Sequence, residues 1–217
     1  EGAELLSYNG SSIAVAHIFR SGSRGGAPSN SPARGFAIFD NKMWMRATED
    51  SAGMEIFSFD GSTATILRDL RAGTPSGAMN LGGIAVHNSK LYFVGRNGTN
   101  NNIPGFEPWE WDGTANDPIL IANISPDSGS SPYYFTSFAG SLFFSAHDGD
   151  TRQLYYYDGV SVQQMTINPS GDALSHKMLV FNGKLFFAAT DGSTESLWAV
   201  SVPPPSPPPP NPSPPLP

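Results

Sequence analysis

The chain has 217 residues, no cysteine, 20 prolines and a formal net charge of −7 at neutral pH. The lack of cysteine excludes a disulfide framework and a thiolate zinc site, and the acidic balance argues against a nucleic-acid partner. No apolar run approaches the ~18–20 residues of a membrane helix, whereas 39% apolar residues are enough for the core of one domain.

The chain starts at Glu1 and shows no signal peptide, which reads as a processed or excerpted product. Its first apolar stretches, near 4–9 and 13–19, read as two strands. A long polar loop, Ser21–Pro32, follows. From there a repeat governs the sequence. One signature is a short apolar strand that ends in an aromatic residue and an Asp-Gly or Asn-Gly turn. It reads ELLSYNG over 4–10, EIFSFDG over 55–61, EPWEWDG over 107–113 and QLYYYDG over 153–159. A degenerate copy, SLWAVSV, occupies 196–202. The glycines at 10, 61, 113 and 159 are 51, 52 and 46 residues apart.

A second signature interleaves with the first: FDNKMWM over 39–45, HNSKLYF over 87–93, FAGSLFF over 138–144 and FNGKLFF over 181–187. Each is two apolar strands around a two-residue turn, a hairpin pattern. Two signatures with one period of 43–52 residues define four-stranded units. Ser/Gly/Pro loops join the units, at 71–77, 125–131 and 168–172. No window carries a sustained helical period with caps.

Met178–Phe181 and Leu185–Ala189 are nearly continuous apolar runs, which predicts sheets covered on both faces. The expected fold is therefore all-β and β-propeller-like, about four blades of four strands, spanning 1–202. A sandwich or β-solenoid is the alternative. The count gives 17 strands, with the last blade completed by Ile13–Phe19 and one strand, Leu5–Tyr8 or Leu197–Val200, left surplus. That strand either caps an edge or pairs with a neighbouring molecule. Eleven prolines fall within 203–217, a tail that reads as a polyproline II rod of ~46 Å at ~3.1 Å per residue.

In these motifs the body resembles the ELWxxDGT repeat family of large extracellular and hyalin-like proteins. Phe181–Phe187 matches its hairpin closely, and Glu55–Gly61, Trp109–Thr114 and Leu197–Trp198 match its second part loosely. The resemblance implies a propeller-like fold, an extracellular adhesive or structural setting, and no catalytic residues. The tail, with Ser206 followed by Pro207–Pro210, resembles extensin-like hydroxyproline-rich glycoproteins of plants and green algae, including wall and mastigoneme proteins. That resemblance implies hydroxylation and O-glycosylation at Pro203, Pro204, Pro205, Ser206, Pro207, Pro208, Pro209, Pro210, Pro212, Pro214 and Pro215.

Chemistry-bearing residues are few. His17, His87, His147 and His176 share no ligand spacing, and His87 stands where Phe39, Phe138 and Phe181 stand in the other units, so it reads as a core or turn residue. Asp60, Asp112 and Asp158 read as turn formers. Asp148-Gly-Asp150 reads as a turn rather than a calcium loop. Tyr133, Tyr134 and Tyr155–Tyr157 read as core, with exposed sugar platforms as the alternative. Asn9, Asn97 and Asn123 head N-glycosylation sequons. Residues 101–217 carry three Lys/Arg and eleven Asp/Glu, against nine and eight in 1–100, which reads as a solvated acidic surface, with head-to-tail attraction between copies as the sharper alternative.

The expectation is a non-catalytic structural glycoprotein with no cofactor beyond covalent glycans. It assembles with copies of itself in a head-to-tail homopolymer, as an extracellular filament or wall layer. A carbohydrate-binding or adhesion propeller is the alternative, and a propeller glycosidase with paired carboxylates comes after it.

Overall fold

The computed structural model describes residues 5–19, 36–73, 75–78, 83–96, 105–114, 117–174 and 177–201. The proline tail, Asn97 with its sequon, His176 and the Ser21–Pro32 loop lie outside the described residues. The fold is all-β and propeller-like. The hairpin β1 (Leu5–Tyr8) and β2 (Ile13–His17) is followed by sheet I, built of β3 (Phe36–Phe39), β4 (Lys42–Glu49), β5 (Gly53–Phe59) and β6 (Ala64–Arg68). Sheet II holds β7 (Ile84–His87), β8 (Lys90–Gly95), β9 (Glu107–Trp111) and β10 (Ile119–Leu120). Sheet III holds β11 (Tyr133–Phe138), β12 (Ser141–His147), β13 (Arg152–Tyr157) and β14 (Val162–Met165). Sheet IV holds β15 (Leu179–Phe181), β16 (Lys184–Thr190) and β17 (Glu195–Ser201). Each sheet is an antiparallel meander in chain order.

The turns follow from their residues. Asp40–Asn41, Asn88–Ser89, Ala139–Gly140 and Asn182–Gly183 all have positive φ at both positions, as two-residue hairpins with a right-handed strand twist require. In the other turns a side chain does the work. Asp60 Oδ1 accepts from the N–H groups of Ser62 and Thr63, and Asp158 Oδ1 from those of Val160 and Ser161, all at 2.8 Å. Asp112 Oδ1 accepts from the Thr114 N–H at 2.9 Å. Asp148 accepts from Asp150 and Thr151 in the same way, so it too serves a turn.

Sheets stack face to face, and the same positions meet at each junction. Trp44 and Ile56 of sheet I pack on Leu91, Phe93 and Trp109 of sheet II. Tyr92 of sheet II packs on Leu142, Phe144, Tyr155 and Tyr157 of sheet III. Phe138, Phe143 and Leu154 of sheet III pack on Leu185 and Phe187 of sheet IV, with Trp198 and Val200 alongside. The motif tryptophans bond identically: Trp109 Nε1 donates to Gly95 O at 2.9 Å and Trp198 Nε1 to Ala189 O at 3.0 Å. Central strands buried on both faces explain why their sequences do not alternate.

The first residue of the motif is a latch. Glu55 Oε1 accepts from the Gly77 N–H at 2.6 Å, and Oε2 from the Leu70 N–H at 3.4 Å. Glu107 accepts from the N–H groups of Ile124, Ser125 and Ser130 at 3.0–3.1 Å, and from the Ser130 hydroxyl. Gln153 Oε1 accepts from the N–H groups of Ile167 and Asn168, while Nε2 donates to the carbonyls of Asn168 and Gly171. All three side chains are fully buried. Each holds the loop that crosses to the next sheet. Room for this is made by glycine: a Cβ on Gly77 would collide with the Glu55 carboxylate, and Gly105 and Gly129 approach so closely that neither has space for one.

Two expectations are corrected. β2 does not complete sheet IV: it pairs with β1, and sheet IV has three strands among the described residues. The hairpin packs instead on sheet I, with Leu5 and Phe19 against Met45, Phe57 and Phe59. The apolar run of β15 is not covered either, since Leu179, Val180 and Phe181 are all exposed. Among the described residues, sheet IV has a neighbour on one face only.

Candidate functional site

Among the described residues the repeat departs from its pattern between sheets III and IV in a way that opens a cleft. At the position before the latch residue, sheets I and II carry Met54 and Phe106, whereas sheet III carries Arg152. β11 also departs from β3 and β7. Its pairing with β12 slips between Tyr133 and Thr136, and Tyr134 adopts φ +63°, a left-handed conformation that costs a bulky residue energy. A bulge of this kind re-aims side chains. The Thr136 hydroxyl fixes it by donating to Tyr134 O at 2.8 Å.

Together these changes line a cleft of about 680 Å³. Tyr133 and Tyr134 from β11 form one wall, their ring centroids 5.9 Å apart. Arg152 lies over the Tyr133 ring, with the guanidinium carbon 4.5 Å from the centroid. Its Nη1 donates to Ser131 O and to the Ser145 hydroxyl, both at 3.1 Å, which locks the guanidinium plane against the ring. Burial lowers the Arg152 pKa, with Tyr133 and Asp172 pulling the other way. The opposite wall comes from sheet IV: Thr190, Ser193, Thr194 and Glu195.

Asp172 is exposed and also lines the cleft, and the latch places it there. Gln153 grips Asn168 and Gly171, Asn168 Nδ2 donates to Asp172 O at 3.2 Å, and the Arg152 N–H donates to Asp172 Oδ1 at 2.6 Å. The cleft thus presents two aromatic faces, a fixed cation, two carboxylates (Asp172 and Glu195) and the hydroxyls of Ser145, Thr190, Ser193 and Thr194. An apolar surface with a few convergent polar groups is the make-up of a small-ligand site.

The other expected positions lie elsewhere. Tyr155 and Tyr157 are core, as read from the sequence. Tyr133 and Tyr134 are half-buried and line the cleft, and Tyr134 also packs against the core between sheets III and IV. His87 is buried, with Nδ1 2.7 Å from the Ser137 hydroxyl. Asn9 is exposed in the β1–β2 turn, where its Oδ1 accepts from the Ser11 and Ser12 N–H groups at 3.0 and 2.9 Å. Asn123 is exposed after β10, although the Ser125 of its sequon is buried against Glu107. Sequence reasoning missed Arg152, Asp172 and Glu195. The one available signal was the charge that replaces Met54 and Phe106 at a repeat position.

No family model matches the chain, and no curated protein matches it. Solved structures do. A Bacteroides ovatus protein described as xyloglucan PUL GH43B matches with a TM-score of 0.41 and 12% identity, over 82% of this chain and 40% of that one. The α-L-arabinofuranosidase CtGH43 of Clostridium thermocellum matches with a TM-score of 0.37 and 14% identity, over 77% and 68%. The six-bladed β-propeller lectin of Aleuria aurantia, with its fucose recognition mode, matches with a TM-score of 0.35 and 14% identity, over 82% and 66%. The chain spans less than half the length of the first of these. The expectation that the chain is not an enzyme is corrected to this extent: structures with this kind of fold include an α-L-arabinofuranosidase as well as a lectin, so the fold does not exclude catalysis.

Proposed function

We propose that the chain is a carbohydrate-binding module whose site is the cleft between sheets III and IV. The observation that carries this reading is the β11 bulge, which sets a strained Tyr134 beside Tyr133 and Arg152 at the junction of sheets III and IV. Local rules are broken where function requires it. A sugar ring offers an apolar C–H face to tyrosine and a rim of hydroxyls. Here Arg152 donates to that rim, and Asp172 and Glu195 accept from it. In this reading the protein works outside the cell and carries glycans of its own at Asn9, Asn97 and Asn123.

Asp172 and Glu195 support a second reading. Glycoside hydrolysis uses a pair of carboxyl groups on either side of the scissile bond, one as acid and one as base or nucleophile. The cleft holds two. The filament-building role expected from the sequence draws no support from the cleft.

A glycan array probed with the whole chain tests the first reading: binding is expected for the wild type and lost for Arg152→Ala. Incubating the bound glycans with the protein tests the second. Released sugar that disappears in Glu195→Gln assigns hydrolysis, and intact glycan leaves binding alone.

A further inference from the structure

The two ends of the stack expose apolar faces that the interior junctions identify. At the junction between sheets III and IV, Phe138, Phe143 and Leu154 form the donor face, and Leu185, Phe187, Trp198 and Val200 the acceptor face. Carried one repeat onward, the donor positions fall on Phe181, Phe186 and Leu197 of sheet IV. Phe181 is 67% exposed and Leu197 74%, with Leu179 beside them at 66%. Carried back to the amino-terminal hairpin, the acceptor positions of β17 fall on Leu6 and Tyr8 of β1. Tyr8 is 68% exposed, and Ile13 and Val15 extend the same face along β2. Among the described residues the chain therefore displays both halves of the interface that it makes at its internal junctions, one at each end and neither filled.

We propose that a second copy of this chain fills it: the outer face of β1–β2 of one molecule packs on the outer face of β15–β17 of the next. Complementarity comes from the repeat, since each exposed residue stands where an interior counterpart already meets the other face. The charge asymmetry acts in the same sense. Head-to-tail stacking brings the amino-terminal half, which holds nine of the twelve Lys/Arg, onto the acidic carboxy-terminal half. Both partners use different surfaces, so the contact is heterologous and propagates instead of closing as a two-fold dimer. The contact does not depend on the cleft or on what binds there.

Sedimentation velocity of the whole chain, alone and as variants, tests the proposal. The wild type is expected to form oligomers whose mass rises with concentration. Ile13→Lys blocks the first face and Phe181→Asp the second; both residues are exposed, so both variants fold. Each variant alone is expected to be monomeric. Their equimolar mixture is expected to stop at twice the monomer mass, because one open face of each kind remains. A monomeric wild type overturns the proposal, as does a monomeric mixture or a single variant that still oligomerises. Oligomers that form only when 202–217 are deleted overturn it too, by assigning the face to the chain's own tail.

Discussion

Glu107 accepts hydrogen bonds from both the backbone N–H and the hydroxyl of Ser130, a residue 23 positions further along the chain and on the far side of a sheet junction. This pairing turns a repeat of sequence into a repeat of structure, because the loop that carries the chain from sheet II to sheet III is pinned from within sheet II. Glu107→Ala leaves the buried N–H groups of Ser125 and Ser130 and the part-buried one of Ile124 without this acceptor, and a loss of about 3–5 kcal/mol is expected. Glu107→Gln is expected to lose less, since Gln153 does the same work in sheet III. Urea unfolding midpoints check both.

Burial pushes the Glu55 carboxyl up to about 8, against the pull of the Gly77 and Leu70 N–H groups. The unfolded chain releases that proton near 4.5. Between these values the folded state holds the extra proton, so stability falls as pH rises from about 4.5 to about 8 and then levels off. Glu107, raised for the same reason, acts in the same direction. Stability measured across this range is expected to drop in the wild type and to drop less in Glu55→Gln. An equal drop in both would remove Glu55 as a cause.

Gly129 and Gly140 share φ +81° and differ in surroundings. Open space lies around Gly140, whereas Gly129 presses on the backbone of Gly105 and Phe106. Gly140→Ala is expected to cost about 1 kcal/mol, the strain of the left-handed conformation alone. Gly129→Ala is expected to cost at least about 3 kcal/mol, because backbone must also move. Thermal unfolding of the pair separates strain from crowding.

His87 is the odd member of a set whose other members are Phe39, Phe138 and Phe181. Burial lowers its pKa against an opposing pull from the Gly140 backbone, and among the described residues its buried Nε2 has no well-formed hydrogen bond. His87→Phe is expected to stabilise the protein by about 1 kcal/mol by removing that polar atom, with Ser137 left exposed to water. A lower unfolding midpoint would show that the Nδ1 contact to Ser137 outweighs it.

The fold was legible because turns and core repeat. The Asp-Gly glycines and the paired apolar strands place every strand from β1 to β17, and the roles of Asp60, Asp112 and Asp158 follow from turn chemistry alone. Closure was not legible. Whether β2 crosses to sheet IV depends on how far each sheet rotates against the last, which no residue pattern states. The cleft was half legible. Arg152 stands out against Met54 and Phe106, but the β11 bulge that puts Tyr134 at positive φ follows from how β11 meets β12, and Glu195 reaches the cleft only through the stacking of sheets.

The most direct measurement is calorimetric titration of the whole chain with the strongest glycan from the array, repeated with Tyr133→Ala and with Arg152→Met after circular dichroism has shown the fold intact. Saturable binding by the wild type is predicted, weakened about tenfold or more in each variant, or about 1.4 kcal/mol. Equal affinity in all three proteins, or no glycan bound by the wild type, would contradict the assignment of the cleft.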